Sequence, residues 1–148
     1  MVKLAFRLAQ EDDLPLLDEL RGKKLHKLHL KRIRDKNAQY IIAFEGDRPV
    51  GHVFLEFVGE EPKLTDIYVR ETDRKKGIGT QLILFAIKEA RKRDYAKVGL
   101  DVETKEKGLL AYYVSLGFKK VSGPHTSTFV MEDEEVTQVC FHMNKRIQ

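Results

Sequence analysis

Strands alternate with helices through the middle of this 148-residue chain and pair as hairpins toward its ends, which predicts an α/β (α+β) fold, a mixed sheet with helices on both faces. Three stretches carry the prediction. An apolar, strand-like run at 64–69 leads through a glycine turn into a long helix-like run at 80–93. Val98, Leu100 and Val102 then alternate with Gly99, Asp101 and Glu103, the two-residue period of a half-buried strand. Finally, Leu109, Leu110, Tyr113 and Leu116 recur at helical spacing, and Gly117 ends that helix as a left-handed cap.

From the N-terminus, a strand is expected over 2–8 and helix from 11 to about 36, broken near Gly22. Asn37 and Ala38 lead into a strand ending near Glu45. Gly46 and Asp47 supply a turn, and Pro49 opens a strand that runs to Val58. Gly59, Glu60, Glu61 and Pro62 turn the chain into the 64–69 strand. Beyond the two helices and the strand between them, a strand starts at Phe118, a loop follows at 122–127, and a last strand lies around 136–143. Neither repeats nor a low-complexity linker divides the chain, so one domain over 1–148 is expected, long enough for a real core.

A hydrophobic content of 42% with 34% charged residues fits a soluble globular protein and not a disordered one. No apolar segment is long enough to span a membrane, and Arg7 interrupts the N-terminal apolar run before a signal peptide can form. The default expectation is a cytoplasmic protein. Cys140 is the single cysteine and has no partner for an internal disulfide; within the apolar run 139–141 it reads as core, not as a nucleophile.

The segment Arg74-Lys75-Lys76-Gly77-Ile78-Gly79 is the most informative one. Two glycines one residue apart allow a tight turn and close approach of a ligand to the backbone. The following helix points its first N–H groups at that turn, and three cations add to the positive field, so the local chemistry suits a phosphate or pyrophosphate. A P-loop would need Lys-Ser or Lys-Thr after the second glycine, and a dinucleotide fingerprint would need a third glycine where Leu82 stands. The turn instead resembles the R-x-x-G-x-G of the GNAT superfamily of acyl-CoA N-acetyltransferases. Asp66-Ile67-Tyr68-Val69-Arg70 is similar to that family's preceding strand, and Tyr113-Val-Ser-Leu-Gly-Phe118 to its Tyr-x-x-x-Gly-Phe ending. Residues 6–14 also resemble its opening strand and acidic helix start.

The resemblance implies a mostly antiparallel central sheet and acetyl-CoA as co-substrate, with no metal. It assigns pyrophosphate binding to Arg74, Lys75, Lys76, Gly77, Ile78, Gly79 and Thr80, and backbone contacts with the pantetheine arm to Ile67, Tyr68 and Val69, beside a splay of the fourth and fifth strands. It assigns the general acid to Tyr113, leaving the adjacent Tyr112 to packing. Glu106 stands where the family often has a cofactor-holding Asn; a carboxylate accepts but does not donate like an amide. Asp66, Glu56 and Glu103 are candidate bases on strands near the presumed cleft. Asp66, just before the cofactor-binding run, is favoured, acting through water or by holding a cationic amine. Family members without a dedicated base keep that assignment open.

The net charge of +4 is uneven: residues 21–36 carry eight Lys or Arg against Asp35, a net +7, and the remainder is −3. Such a run is usually a solvated helix face, with attraction of a polyanion as the sharper alternative. No aromatic residues interleave with these cations, which counts against nucleic acid. His26 and His29 could share a helix face, but no third metal ligand accompanies them. His125 is expected on a loop lining the acceptor pocket. The acidic run 132–135 reads as a soluble hairpin tip or an attractor of cationic amines. The expected function is transfer of an acetyl group to a primary amine by direct attack in a ternary complex, the amine belonging to a small molecule or a protein. The alternatives are a non-catalytic CoA-binding module and a nucleic-acid binder using the 21–36 helix. A homodimer stays open.

Overall fold

The computed structural model of the protein describes residues 3–22, 27–57, 59–131 and 134–148. In chain order these form β1 (Leu4–Leu8), a 3₁₀ turn (Glu11–Asp13), α1 (Leu14–Arg21), α2 (Lys27–Arg34), β2 (Ala38–Glu45), β3 (Arg48–Glu56) and β4 (Lys63–Val69). A second 3₁₀ turn (Glu71–Asp73) then leads to α3 (Ile78–Lys92), β5 (Lys97–Glu103), α4 (Lys107–Ser115), β6 (Lys119–Met131) and β7 (Glu134–Arg146). The strands make one seven-stranded sheet in the order β1-β2-β3-β4-β5-β7-β6. Every neighbouring pair is antiparallel except β4 with β5.

Side-chain alternation along the strands gives the sheet two apolar faces. Ile41, Ala43, Val53, Leu55, Val98, Leu100 and Val102 pack on one face beneath α3, whose Ile78, Leu82, Ile83, Ala86 and Ala90 recur at the three-to-four-residue spacing of a buried helical stripe. Tyr113 and Phe118 from α4 and its exit join the same cluster. The smaller opposite cluster holds Leu17 of α1 with Ala38, Tyr40, Ile42, Phe44 and Phe54, and Ile33 of α2 packs against it. Cys140 is buried, as its apolar flanks suggest, and burial first, Asp101 second, push its thiol up.

The predicted cap at Gly117 is left-handed, with φ 97°. The helical stretch from 11 breaks at Gly22, also left-handed, before residues 23–26, which lie outside the described residues; so do Val58 and the start of the first expected strand at Val2. The expected loop at 122–127 is instead part of β6. Its residues pair with β7, His125 opposite Cys140 and Ser127 opposite Gln138, and the Gly-Pro step is accommodated as register irregularities between Lys120 and His125. Ladder bonding to β7 outweighs the local turn preference of Gly, Pro and Ser. Of the acidic run, Glu134 and Glu135 begin β7, and residues 132–133 lie outside the described part.

A polar network stitches β4, β5 and β7 together on the face opposite α3. His142 lies between two carboxylates, Nδ1 2.8 Å from Asp101 Oδ1 and Nε2 2.6 Å from Glu61 Oε1. Lys63 Nζ reaches Asp101 Oδ2 at 2.5 Å, Asn144 donates to Glu61 Oε2, and His125 stands 3.9 Å from Asp101. Gly99 leaves room for this network, because a Cβ there would stand 2.0 Å from Glu61 Oε1 and displace that carboxylate. Two carboxylates can both accept only if both ring nitrogens of His142 carry protons. Burial opposes that charge, but hydrogen bonds to Asp101 and Glu61 outweigh it and raise the His142 pKa above 6.5. Its stabilising effect is therefore full below pH 6.5 and is lost as pH rises through the raised folded-state value. Melting temperatures measured across that range are expected to fall for the native chain and to fall less for His142→Gln; parallel profiles would remove the imidazolium from the network.

Candidate active site

β4 and β5 share a single register pair, Lys63 with Gly99, supported by Gly99 N–H donating to the Pro62 carbonyl at 2.9 Å. From there the strands diverge toward Val69 and Glu103, so the β5-facing backbone edge of Ile67, Tyr68 and Val69 has no ladder partner among the described residues. α3 follows β4 and α4 follows β5, which sets both helices at the open end of the splay.

The glycine turn stands at that end. Gly77 is the N-cap of α3 with φ 79°, and Lys75 is also left-handed with φ 64°. The first helical bond runs from Gln81 N–H to the Gly77 carbonyl, so the N–H groups of Ile78, Gly79 and Thr80 precede the helical ladder and are open to a ligand. Val69, Asp73, Arg74, Lys75, Gly79 and Thr80 are among the residues around a hollow of about 210 Å³ there. Two of the three cations are already engaged. Arg74 Nε donates to the Val69 carbonyl at 2.9 Å with its guanidinium over the Tyr68 ring, and Lys76 lies 3.5 Å from Asp73, which Arg48 also holds at 3.1 Å. The helix terminus therefore supplies most of the directed donors, with the cations as a field around it.

Asp66 occupies a bulge. Phe54 and His52 of β3 face Thr65 and Tyr68 of β4, so two residues of β4, Asp66 and Ile67, oppose Val53 alone. Asp66 takes the left-handed conformation, φ 48°, which costs an ordinary residue free energy and persists only when its surroundings hold it. Arg21 Nε, from the end of α1, and Tyr40 Oη donate to its Oδ2 at 3.2 and 2.5 Å, and His52 Nδ1–H donates to its carbonyl at 2.9 Å. Burial works against ionisation of Asp66, but His52, the Tyr40 hydrogen bond and Arg21 outweigh it and hold the carboxyl below its usual range. Burial likewise lowers the His52 pKa, so near neutral pH the ring is uncharged with its proton on Nδ1; its buried Nε2 has no hydrogen-bond partner among the described residues. Sequence reading missed Arg21, Tyr40 and His52, which come from three other elements. Of the remaining candidate bases, Glu56 is tied to Arg32 at 2.5 Å, and Glu103 stands 3.7 Å from Lys105.

Tyr113 is 8% exposed and packs edge-on to Phe118. Burial first, and Tyr112 second, push its phenol up to about 12. Tyr112 is more than packing: its hydroxyl lies 2.6 Å from Thr80 Oγ1, and its ring lines the hollow at α3. Glu106 is the exposed N-cap of α4, and its side chain makes no capping bond. His125 sits on β6 and not on a loop, near Asp101. Four of the eight cations of the basic run are paired within the fold, Arg21 with Asp66, Lys31 with Asp35, Arg32 with Glu56 and Arg34 with Glu11; Lys23 and Lys24 lie outside the described residues. Of the two spaced histidines, His29 packs with its ring tilted against Phe54, and His26 lies outside the described residues. Among the described residues, no helix is long and apolar enough to cross a membrane.

Residues 5–118 match the profile of the Acetyltransferase (GNAT) family. An uncharacterized N-acetyltransferase of Methanocaldococcus jannaschii is 31% identical over 121 residues, 77% of this chain; the chain spans about half the length of that curated relative, 47%. Two solved structures share the fold at 18% identity. The ribosomal-protein-S18-alanine N-acetyltransferase of Escherichia coli superposes with a TM-score of 0.77 over 99% of this chain and 95% of its own. The PaiA N-acetyltransferase of Thermoplasma acidophilum, in complex with coenzyme A, gives 0.73 over 97% and 99%.

Replacing Asp66 by Asn strips Arg21 and Tyr40 of their shared charged acceptor. With the carboxylate partly exposed, the expected loss is about 1–3 kcal/mol, measured by urea denaturation. A variant as stable as the native chain would show that the bulge does not depend on this carboxylate.

Proposed function

This chain belongs to the GNAT acetyltransferase family, and from that premise we propose that it transfers the acetyl group of acetyl-CoA to a primary amine by direct attack in a ternary complex. The observation that carries the reading is the opening of the α3 hollow onto the edge of β4 that has no ladder partner among the described residues, where only the Val69 carbonyl is engaged, by Arg74 Nε. A diphosphate in the hollow takes the N–H groups of Ile78, Gly79 and Thr80, with Arg74, Lys75 and Lys76 around it. The pantetheine amides then add to the edge of Ile67, Tyr68 and Val69 like a short strand. Glu106, exposed at the start of α4, is an acceptor without an amide's donors, so it adds little to cofactor binding.

The amine nitrogen attacks the thioester carbonyl, an amide C–N bond forms as the C–S bond breaks, the nitrogen sheds a proton to solvent water and the sulfur gains one. Tyr113 is the group proposed to serve the sulfur. With its phenol near 12 against a thiol of ~8.5, full transfer to the thiolate is uphill by ~3.5 units, or roughly 5 kcal/mol. Tyr113 thus acts first as a hydrogen-bond donor to the developing thiolate and completes the transfer only as the nitrogen's proton departs. Asp66 is a poor base because its carboxyl is held low, but it suits the task of holding the amine. Among the described residues both of its side-chain hydrogen bonds end on Oδ2, which leaves Oδ1 for an N–H of the acceptor. Arg21 is already paired with this carboxylate, so the site favours a neutral amine over a polycation.

Acetyl-CoA is expected to raise the melting temperature, and Gly79→Trp to abolish the shift by filling the hollow. Tyr113→Phe is expected to lower turnover tenfold to a thousandfold with CoA binding intact. The deciding measurement is a mass-spectrometric screen of amine acceptors with acetyl-CoA. Silence across small amines, amino acids and peptide N-termini, with CoA bound, would reduce the protein to a CoA-binding module.

A further inference from the structure

We propose that the Tyr112 hydroxyl is a phosphate-binding group of the cofactor site, acting as a pair with Thr80 across the mouth of the β4–β5 cleft. The inference rests on the acyl-CoA reading above and gives a role to a residue that the sequence alone leaves to packing. Its basis is geometric. Tyr112 belongs to α4, reached from β5; Thr80 belongs to the first turn of α3, reached from β4. The two strands have no shared ladder at this end, so the 2.6 Å contact between Tyr112 Oη and Thr80 Oγ1 joins the two sides of the splay where the backbone does not.

The bond is also placed on the ligand. Tyr112 and Thr80 line the same hollow as Gly77, Ile78 and Gly79, and the Thr80 N–H is one of the groups that precede the helical ladder. Each hydroxyl carries one proton and two acceptor lone pairs. With the hollow empty, one hydroxyl donates to the other. With a phosphate present, the remaining proton of the pair points at the phosphate, or both do, and the anion gains charge-assisted donors beyond the backbone set. Tyr113, whose ring centroid lies 5.2 Å from that of Tyr112, occupies the adjacent helical position about 100° away, so the two tyrosines divide the cofactor between them: phosphate for Tyr112, sulfur for Tyr113.

The test compares dissociation constants, by calorimetry or competition, for CoA, for adenosine 5′-diphosphate as a phosphate-bearing probe, and for acetyl-pantetheine, which has no phosphate. Tyr112→Phe keeps the ring and removes the hydroxyl. It should weaken CoA and the diphosphate about tenfold and leave acetyl-pantetheine within twofold. Thr80→Val should give a similar loss, and the double variant little more than either alone, as expected of a coupled pair. Unchanged CoA affinity in Tyr112→Phe overturns the proposal, as does an equal loss for all three ligands, which marks a packing role. A native chain that binds none of the three overturns the acyl-CoA reading itself, and this inference with it.

Discussion

β4 and β5 run parallel yet share one register pair, Lys63 with Gly99, so their ladder ends almost where it begins. Parallel strands bond less strongly per residue than antiparallel ones, and here the pairing is abandoned early. What keeps the sheet whole is chemistry at the joined end. Glu61, Lys63, Asp101 and His142 bind the start of β4 to β5 and β7, and the absent side chain of Gly99 leaves room for Glu61. With one end fastened and the other released, an unpaired backbone edge is created inside a sheet, where a linear ligand can use it without competing for an outer strand.

The helices convert that opening into a site. α3 and α4 begin at the free ends of the diverging strands, which brings a helix N-terminus, two left-handed turn residues and the tyrosine pair to one mouth. On the opposite face, Asp66 is locked from three directions by Arg21, Tyr40 and His52. A carboxylate this strongly held is suited to orienting a partner and ill suited to collecting protons.

Much of this was legible in the sequence because the signals were local. Residues 98–103 alternate as a strand should, 109–116 carry a helical stripe, and Gly117 and the 74–79 turn announce their own conformations. The misses are all long-range. Residues 122–127 look like a loop until β7 supplies partners for them. Strand parity assumes one residue per rung, and the bulge at Asp66 adds a residue without any glycine or proline to flag it. The motif singles out Tyr113, but nothing in the sequence announces that the neighbouring Tyr112 meets Thr80 from another helix. Likewise Arg21, Tyr40 and His52 converge on Asp66 through folding alone.

The burial of Cys140 has a practical consequence. It is the chain's single sulfhydryl, 1% exposed, with burial and Asp101 keeping it protonated. Reagents that colour on meeting a thiolate attack only accessible, ionised sulfur. CoA released in the proposed reaction would therefore be counted colorimetrically against a silent protein background, with the native chain and no cysteine substitution.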